Sequence, residues 1–319
     1  MLFQKLSLLA ACALIVTGPA LAGEANVKLS YIVDHPAIDA AREGMIAALA
    51  EGGYEEGKTM LLEVQSAQGS MTTQVQINEK FVGDAPDLIL AISTPSAQTA
   101  MAATKDIPIV FAAVTDPLAA GLVDTYEKPG RNLTGSSDMT PIGKHMALIK
   151  RIVPGVKKIG VIYNGGEANS IAQVETVKED AAKAGLEVVE ATAAQSSAVI
   201  DAARSLVGKV DAIYVPTDST VVSAIEAVVR IGQDADLPII AADTSSVERG
   251  AIAALGFDYF DIGHAAGEEA VAILKGADPA TLPVRFVDKL DLYVNPTSAE
   301  KMGVTLPDDL LAEATKVVK

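Results

Sequence analysis

One strand-and-loop phrase occurs twice in this chain, and that repeat limits the possible folds more than any other feature. Asp87-Leu-Ile-Leu-Ala-Ile runs into Ser93-Thr94-Pro95-Ser96, and Asp211-Ala-Ile-Tyr-Val runs into Pro216-Thr217-Asp218-Ser219. A second phrase follows each. Asp106-Ile-Pro-Ile-Val leads through Phe111 to Ala112-Ala113-Val114-Thr115-Asp116, and Asp236-Leu-Pro-Ile-Ile leads to Ala241-Ala242-Asp243-Thr244-Ser245. The offsets are 124 and 130 residues. Because the match extends into the polar loops beyond the apolar runs, it implies two lobes of one topology.

Short β-branched runs alternate with helical patterns throughout. Strands are predicted near 27–33, 60–65, 87–92 and 107–112, then near 158–163, 186–191, 211–215 and 237–241. Between them lie helices such as 38–50. There Ile38, Ala41, Met45 and Leu49 fall on one face, with Asp39, Arg42 and Glu43 outside it. Such alternation builds βαβ units and a parallel sheet. The fold class is therefore α/β, with two Rossmann-like lobes carrying parallel sheets. An apolar half rich in Ala, Val, Ile and Leu, without Trp, suits sheets covered by Ala-rich helices.

Open parallel sheets bind ligands beyond the carboxyl ends of their strands. Helices that begin there present free N–H groups and a positive dipole end. In this chain those loops carry Ser, Thr, Asp and Asn, which also cap helices. Two such lobes face to face would line one cleft with polar loops.

The front of the chain reads as a processing segment. A basic start ending at Lys5 precedes the apolar run 6–17, and Gly18-Pro19 precedes Ala20-Leu21-Ala22. That is the pattern of a secretory signal peptide cut after residue 22, in a run too short to span a bilayer comfortably. The rival reading is a lipoprotein box at Leu9-Ala10-Ala11-Cys12, but only a short apolar stretch precedes it. Removal of residues 1–22 leaves no cysteine, so the exported body would depend on its core and not on disulfides. A formal charge of −16 without a basic patch argues against nucleic acid or anionic lipid as partner. No apolar run beyond the front segment approaches 18 residues, so a soluble body is expected. Dinucleotide, P-loop, HExxH and GxSxG motifs are absent, and His35, His145 and His264 lie far apart. No cofactor, metal or catalytic constellation is expected, and Tyr259-Phe260 reads as packing.

The chain also resembles a known family. The resemblance rests on His35-Pro-Ala-Ile-Asp-Ala-Ala-Arg-Glu-Gly44, Gly53-Tyr-Glu-Glu-Gly-Lys58, Ser93-Thr-Pro-Ser-Ala97 and Val114-Thr-Asp-Pro117. It continues through Asn132-Leu-Thr-Gly135, Ile162-Tyr-Asn164, Leu255-Gly-Phe-Asp-Tyr259 and Val294-Asn-Pro296. In that order these stretches resemble the periplasmic-binding-protein-like ABC transporter substrate-binding family with tryptophan- and tyrosine-binding members. The resemblance implies a type 1 periplasmic binding fold, its lobes joined by a three-strand hinge near 137–141, 256–259 and 286–292. One lobe would hold 23–138 plus about 258–286, and the other 139–257 plus about 287–319. The implied role is an extracytoplasmic, periplasmic binding protein feeding an importer through an ABC permease. The alternative is a ligand sensor that docks on a membrane receptor without transport.

Charge matching indicates the ligand class. A buried carboxylate needs donors and a buried ammonium needs acceptors. Ser93, Thr94 and the helix start after Pro95 would serve a carboxylate. Thr115 and Asp116 follow the next strand, and Tyr163 and Asn164 end the first strand of the second lobe. Asp218 and Asp243 are candidate acceptors for an ammonium. Phe257 lies near the second expected crossing, and His35 lies in the first loop. Arg249 is the nearest basic residue to these loops. A dicarboxylate or phosphate would normally require Arg or Lys there, so the expected ligand is a zwitterionic amino acid, and the family resemblance favours an aromatic or other apolar one. On this reading Asp243→Ala weakens binding and leaves the melting of the empty protein nearly unchanged.

Overall fold

The computed structural model describes residues 24–318; the expected signal segment lies outside them. The first sheet runs in the spatial order β2 (Met60–Ser66), β1 (Ala25–Tyr31), β3 (Leu88–Ile92), β4 (Ile109–Ala112), β5 (Leu133–Ser137), β11 (Arg285–Phe286). Every pairing in it is parallel. The second sheet runs β7 (Glu187–Thr192), β6 (Lys158–Tyr163), β8 (Ala212–Val215), β9 (Ile239–Ala241), β10 (Ala253–Gly256), β12 (Asp291–Val294), β13 (Lys316–Val317). Only β10 and β12 pair antiparallel. The order β2-β1-β3-β4 is thus reproduced as β7-β6-β8-β9. This is the α/β architecture of two like-wound sheets expected from the repeat, and the type 1 periplasmic binding fold that the resemblance implies. The eight predicted strands fall within two residues of their observed bounds.

Both sheets have a switch point. The chain leaves β1 toward β2 on one side and returns to β3 on the other; β6, β7 and β8 do the same. Such a reversal splays the connecting loops apart and leaves a crevice at the strand ends. The chain passes between the sheets three times, at 138–141, 257–258 and 287–290.

The helices are α1 (Pro36–Glu51), α2 (Met71–Gly83), α3 (Thr94–Ala103), α4 (Ile142–Ile152), α5 (Ala168–Lys183), α6 (Val199–Leu206), α7 (Ser219–Ser223), α8 (Ile225–Asp234), α9 (Ser245–Glu248), α10 (Tyr259–Leu274), α11 (Pro296–Lys301) and α12 (Asp308–Glu313). Helix α1 buries the predicted stripe Ile38, Ala41, Met45 and Leu49. Each of the three larger side chains contributes roughly 1.5–3 kcal/mol on full burial.

The contact between α1 and α10 sets the site. A Cβ on Gly263 would lie 1.9 Å from the Ala41 carbonyl oxygen, and one on Gly44 would lie 2.1 Å from that of Phe260. Only glycine permits this approach. Gly267 meets Met45 and Ala48, so the two helices run parallel. Their starts, next to His35 and at Tyr259, therefore emerge at the same end of the first sheet.

In the second lobe, His145 ties α4 to the sheet. Its Nε2 lies 2.8 Å from the Leu255 carbonyl and its Nδ1 lies 2.6 Å from the Tyr214 hydroxyl. A carbonyl only accepts, so Nε2 carries the proton and Nδ1 accepts from Tyr214. Burial pushes the imidazole pKa down to about 4, consistent with a neutral, structural histidine.

Candidate functional site

The strand-end loops of both sheets line one cavity, partly open to solvent, with about 370 Å³ of space unfilled by atoms. From the first lobe come His35 and Ile38 after β1, Ser93 and Thr94 after β3, Ala113 and Thr115 after β4, and Tyr259 at the start of α10. Asp138 lies in the first passage between sheets. The second lobe supplies Asn169 on α5, the loop Thr217, Asp218 and Ser219 after β8, Val222 on α7, and Asp243 after β9. Thr115 and Thr217 share a hydrogen bond across the gap, 3.1 Å between hydroxyls.

Four buried polar atoms around this cavity have no partner in the protein: Nδ1 of His35, Oγ1 of Thr94, Oδ1 of Asp138 and Oδ1 of Asn169. Among the described residues only two other side-chain atoms share that condition, on Gln74 and Thr140. A buried polar group left unpaired costs about 1–3 kcal/mol, so their convergence marks a place built to be filled. Backbone strain collects there too. Ser93 and Ala113 both have left-handed φ, 83° and 54°. Each costs about 1–3 kcal/mol, the kind of strain that clusters at binding sites.

The two walls differ in chemistry. On the first lobe, α3 begins without a side-chain cap; Ser93 Oγ contacts only Ser96 Oγ, at 3.3 Å. Pro95 has no N–H, and the amides of Thr94 and Ser96 have no partner within the helix. This wall offers donors. On the second lobe, Asp218 accepts from the amides of Asn164 (2.6 Å) and Val221 (2.8 Å) and from the Ser170 hydroxyl (2.6 Å). Glu167 takes the amides of Ser219 and Thr220, both at 3.2 Å. The start of α7 is thus closed by two buried acids. Burial, and then the Glu167 carboxylate, push the Asp218 pKa up to about 7.

Asp138 is buried, and its Oδ2 accepts from the Tyr259 hydroxyl at 2.7 Å. Burial raises its pKa, against the lowering effect of the Tyr259 hydrogen bond and of the nearby Thr115 hydroxyl. For Asn169 the amide nitrogen donates to the Thr217 carbonyl at 2.9 Å, which turns its oxygen to the free side. The His35 imidazole is pushed down to about 4, chiefly by burial, although part of the residue reaches solvent. It is neutral at physiological pH.

Of the ten residues expected from the sequence, His35, Ser93, Thr94, Thr115, Asp218 and Asp243 line the cavity. The other four do not. Asp116 turns away to accept from the amides of Leu118 and Ala119 and from the Tyr126 hydroxyl, closing the loop after β4. Tyr163 lies along the sheet and donates to Glu190 at 2.7 Å. Asn164 braces Asp218 and Thr220 and faces a larger outer recess of about 1120 Å³, shared with Ile32, Val33 and Pro95. Phe257 is buried in the apolar core of the first lobe.

Asp243 lines the cavity, but its oxygens already accept from Ser245 Oγ (2.5 Å), Ser246 N (3.0 Å) and Ser246 Oγ (2.6 Å). Its replacement by Ala would strand these donors, so the empty protein is expected to melt lower, where the sequence alone led to an expectation of little change. Tyr259, read as packing, is a cavity wall. Asp138 and Asn169 were not singled out, although Asp138 sits inside the expected first crossing.

Two lobes of one topology, bringing polar strand ends together around one cavity with unpaired donors and acceptors, define a solute-binding protein. Residues 26–318 match the family described as ABC transporter substrate binding protein, and the chain belongs to that family. It is 44% identical over 294 residues to the tyrosine-binding protein of Clostridioides difficile (strain R20291), covering 92% of this chain and 84% of that one. The structure of an ABC domain in complex with L-Trp from Streptococcus pneumonia superposes with a TM-score of 0.90 at 36% identity, covering 93% of this chain and 100% of that one. The ligand-free, open structure of a substrate binding protein with adhesive properties from Clostridium difficile gives a TM-score of 0.69 at 43% identity, covering 92% and 99%. The chain is nearer in sequence to the open protein and nearer in shape to the L-Trp complex. Its lobes therefore stand as in the complex.

Proposed function

We infer that this protein captures a free L-amino acid with a large, aromatic or apolar side chain and hands it to an ABC permease for import. The single observation that carries this reading is the set of four unpartnered polar atoms around one cavity. Thr94 Oγ1 and the open start of α3 suit a carboxylate. Asp138 Oδ1 and Asn169 Oδ1 suit an ammonium. Ile38, Ala113, Val222 and the Tyr259 ring supply apolar surface for a side chain. Relatives that bind tyrosine and L-Trp support the aromatic choice.

On this reading the front segment exports the protein to the periplasm. The bodies that move are 23–138 with 258–286, and 139–257 with 287–319. They hinge at the three passages, and the permease reads the closed form. The described residues contain no helix long and apolar enough to cross a membrane.

A thermal-shift panel of the twenty L-amino acids, with glucose and myo-inositol as controls, tests the ligand class. A ligand at a hundred times its Kd adds about 2.7 kcal/mol to stability. L-tyrosine or L-tryptophan is expected to raise the melting temperature and the sugars to leave it unchanged. The chain has no Trp, so bound L-tryptophan can also be followed by its own fluorescence. A shift with a sugar and with no amino acid would remove the proposed ligand class.

A further inference from the structure

We propose that Tyr259 is the positioning residue for the ammonium end of the ligand: it holds one oxygen of Asp138 so that the other is presented to the cavity. The proposal rests on the amino-acid reading above. Asp138 lies in the first passage between lobes and Tyr259 directly after the second, 121 residues on. The hydroxyl donates to Oδ2 at 2.7 Å, and Oδ1 of the same carboxylate is buried with no partner. Both residues line the cavity. The parallel contact of α1 and α10 fixes where the Tyr259 ring emerges, because Gly44 and Gly263 leave those backbones no room to separate by a side chain.

A carboxylate held by one oxygen has the other committed in direction. Without the phenol, the group is free to rotate about its last bond and the acceptor is no longer pre-aimed. Such pre-organisation removes part of the ordering cost of binding. The phenol has a second effect. Asp138 is surrounded by groups that disfavour its charge: the low-polarity interior and the Asp243 carboxylate. Asp218 and the neutral His35 imidazole line the same cavity, and Tyr214 stands near Tyr259. A hydrogen bond donated to the ionised form favours it. Removal of that bond raises the pKa of Asp138 and costs ligand affinity on the acid side.

The test is calorimetric titration of wild type, Tyr259→Phe and Asp138→Asn with L-tyrosine, from pH 5 to 9. It is repeated with 3-(4-hydroxyphenyl)propionate, which lacks the ammonium; L-tryptophan and indole-3-propionate replace the pair if they bind better. Tyr259→Phe is expected to bind the amino acid about tenfold more weakly at pH 7, the equivalent of one hydrogen bond to a charged group. Its acid limb should move up by about one pH unit. Wild type and Tyr259→Phe should bind the des-amino acid equally. Asp138→Asn should weaken the amino acid at every pH and lose the acid limb. Equal affinity of wild type and Tyr259→Phe for the amino acid would overturn the proposal, as would an equal loss for both compounds, which marks a merely structural tyrosine. Failure of wild type to bind either amino acid would instead remove the reading beneath it.

Discussion

The loop after β3 and the loop after β8 occupy equivalent places in the two sheets, yet their chemistry is opposite. The offset of 124 residues pairs Ser93 with Thr217 and Thr94 with Asp218, and all four line the cavity. In the first lobe the hydroxyl of Thr94 is unpaired and the helix start is uncapped. In the second lobe Asp218 and Glu167 satisfy the helix start from within. The same βα turn is therefore left with an open helix start on one side and is a self-closed, acid-rich wall on the other. Duplicated topology places the loops; the residue at one position decides whether the helix start is spent on the fold or kept for a guest.

The comparison can be broken most forcefully at Asp218. Asp218→Ala strands three donors and removes a helix cap, so unfolding of the empty protein should become easier by about 3–4 kcal/mol. Urea titration without ligand checks this. A stability close to wild type would mean that the second loop is not closed from within.

A smaller effect concerns pH. Asp218 has its pKa raised to about 7 in the folded state, so between the ordinary carboxylate range and that value the native protein binds the extra proton. Its contribution to stability is full at low pH and is lost as pH rises through roughly 4 to 7. Glu167→Gln removes the neighbouring charge and lets the Asp218 pKa fall. The variant's loss of stability over that window should be smaller than that of wild type by about 1–2 kcal/mol. Melting curves at several pH values would show it; parallel wild-type and variant profiles would separate the two acids.

The smallest expected change lies in the first loop. Thr94→Val keeps the shape and deletes the unpaired hydroxyl. The empty protein should be as stable as wild type or slightly more so, while amino-acid affinity falls about tenfold, near 1.5 kcal/mol. Lower stability with unchanged affinity would place Thr94 among the structural residues and erase the contrast between the lobes.

The repeat, strand positions and amphipathic face of α1 were legible because each depends on periodicity, which a single chain displays. Which loop residue faces inward was not. Asp116 and Thr115 are neighbours, but the left-handed φ of Ala113 and the turn toward Leu118 send one outward and the other into the cavity. Asn164 had the right loop, yet its amide is consumed by Thr220 on the same lobe. Tyr259 was indistinguishable from a core aromatic until the close approach of α1 and α10 fixed its ring beside Asp138. Asp138 itself lay in a stretch recognised as a crossing, where chain path and not side chain drew attention. Periodicity reports which segments are buried; the direction of a polar side chain at a strand end depends on local dihedral angles and on partners more than a hundred residues away.

A crystal structure of the protein grown with L-tyrosine or L-tryptophan tests the division of labour most directly. The account predicts one amino acid in the inner cavity, its carboxylate against Thr94 and the start of α3 and its ammonium within hydrogen-bond distance of Asp138 Oδ1. A ligand lying in the outer recess beside Asn164, or one with its carboxylate turned toward Asp138, would contradict it.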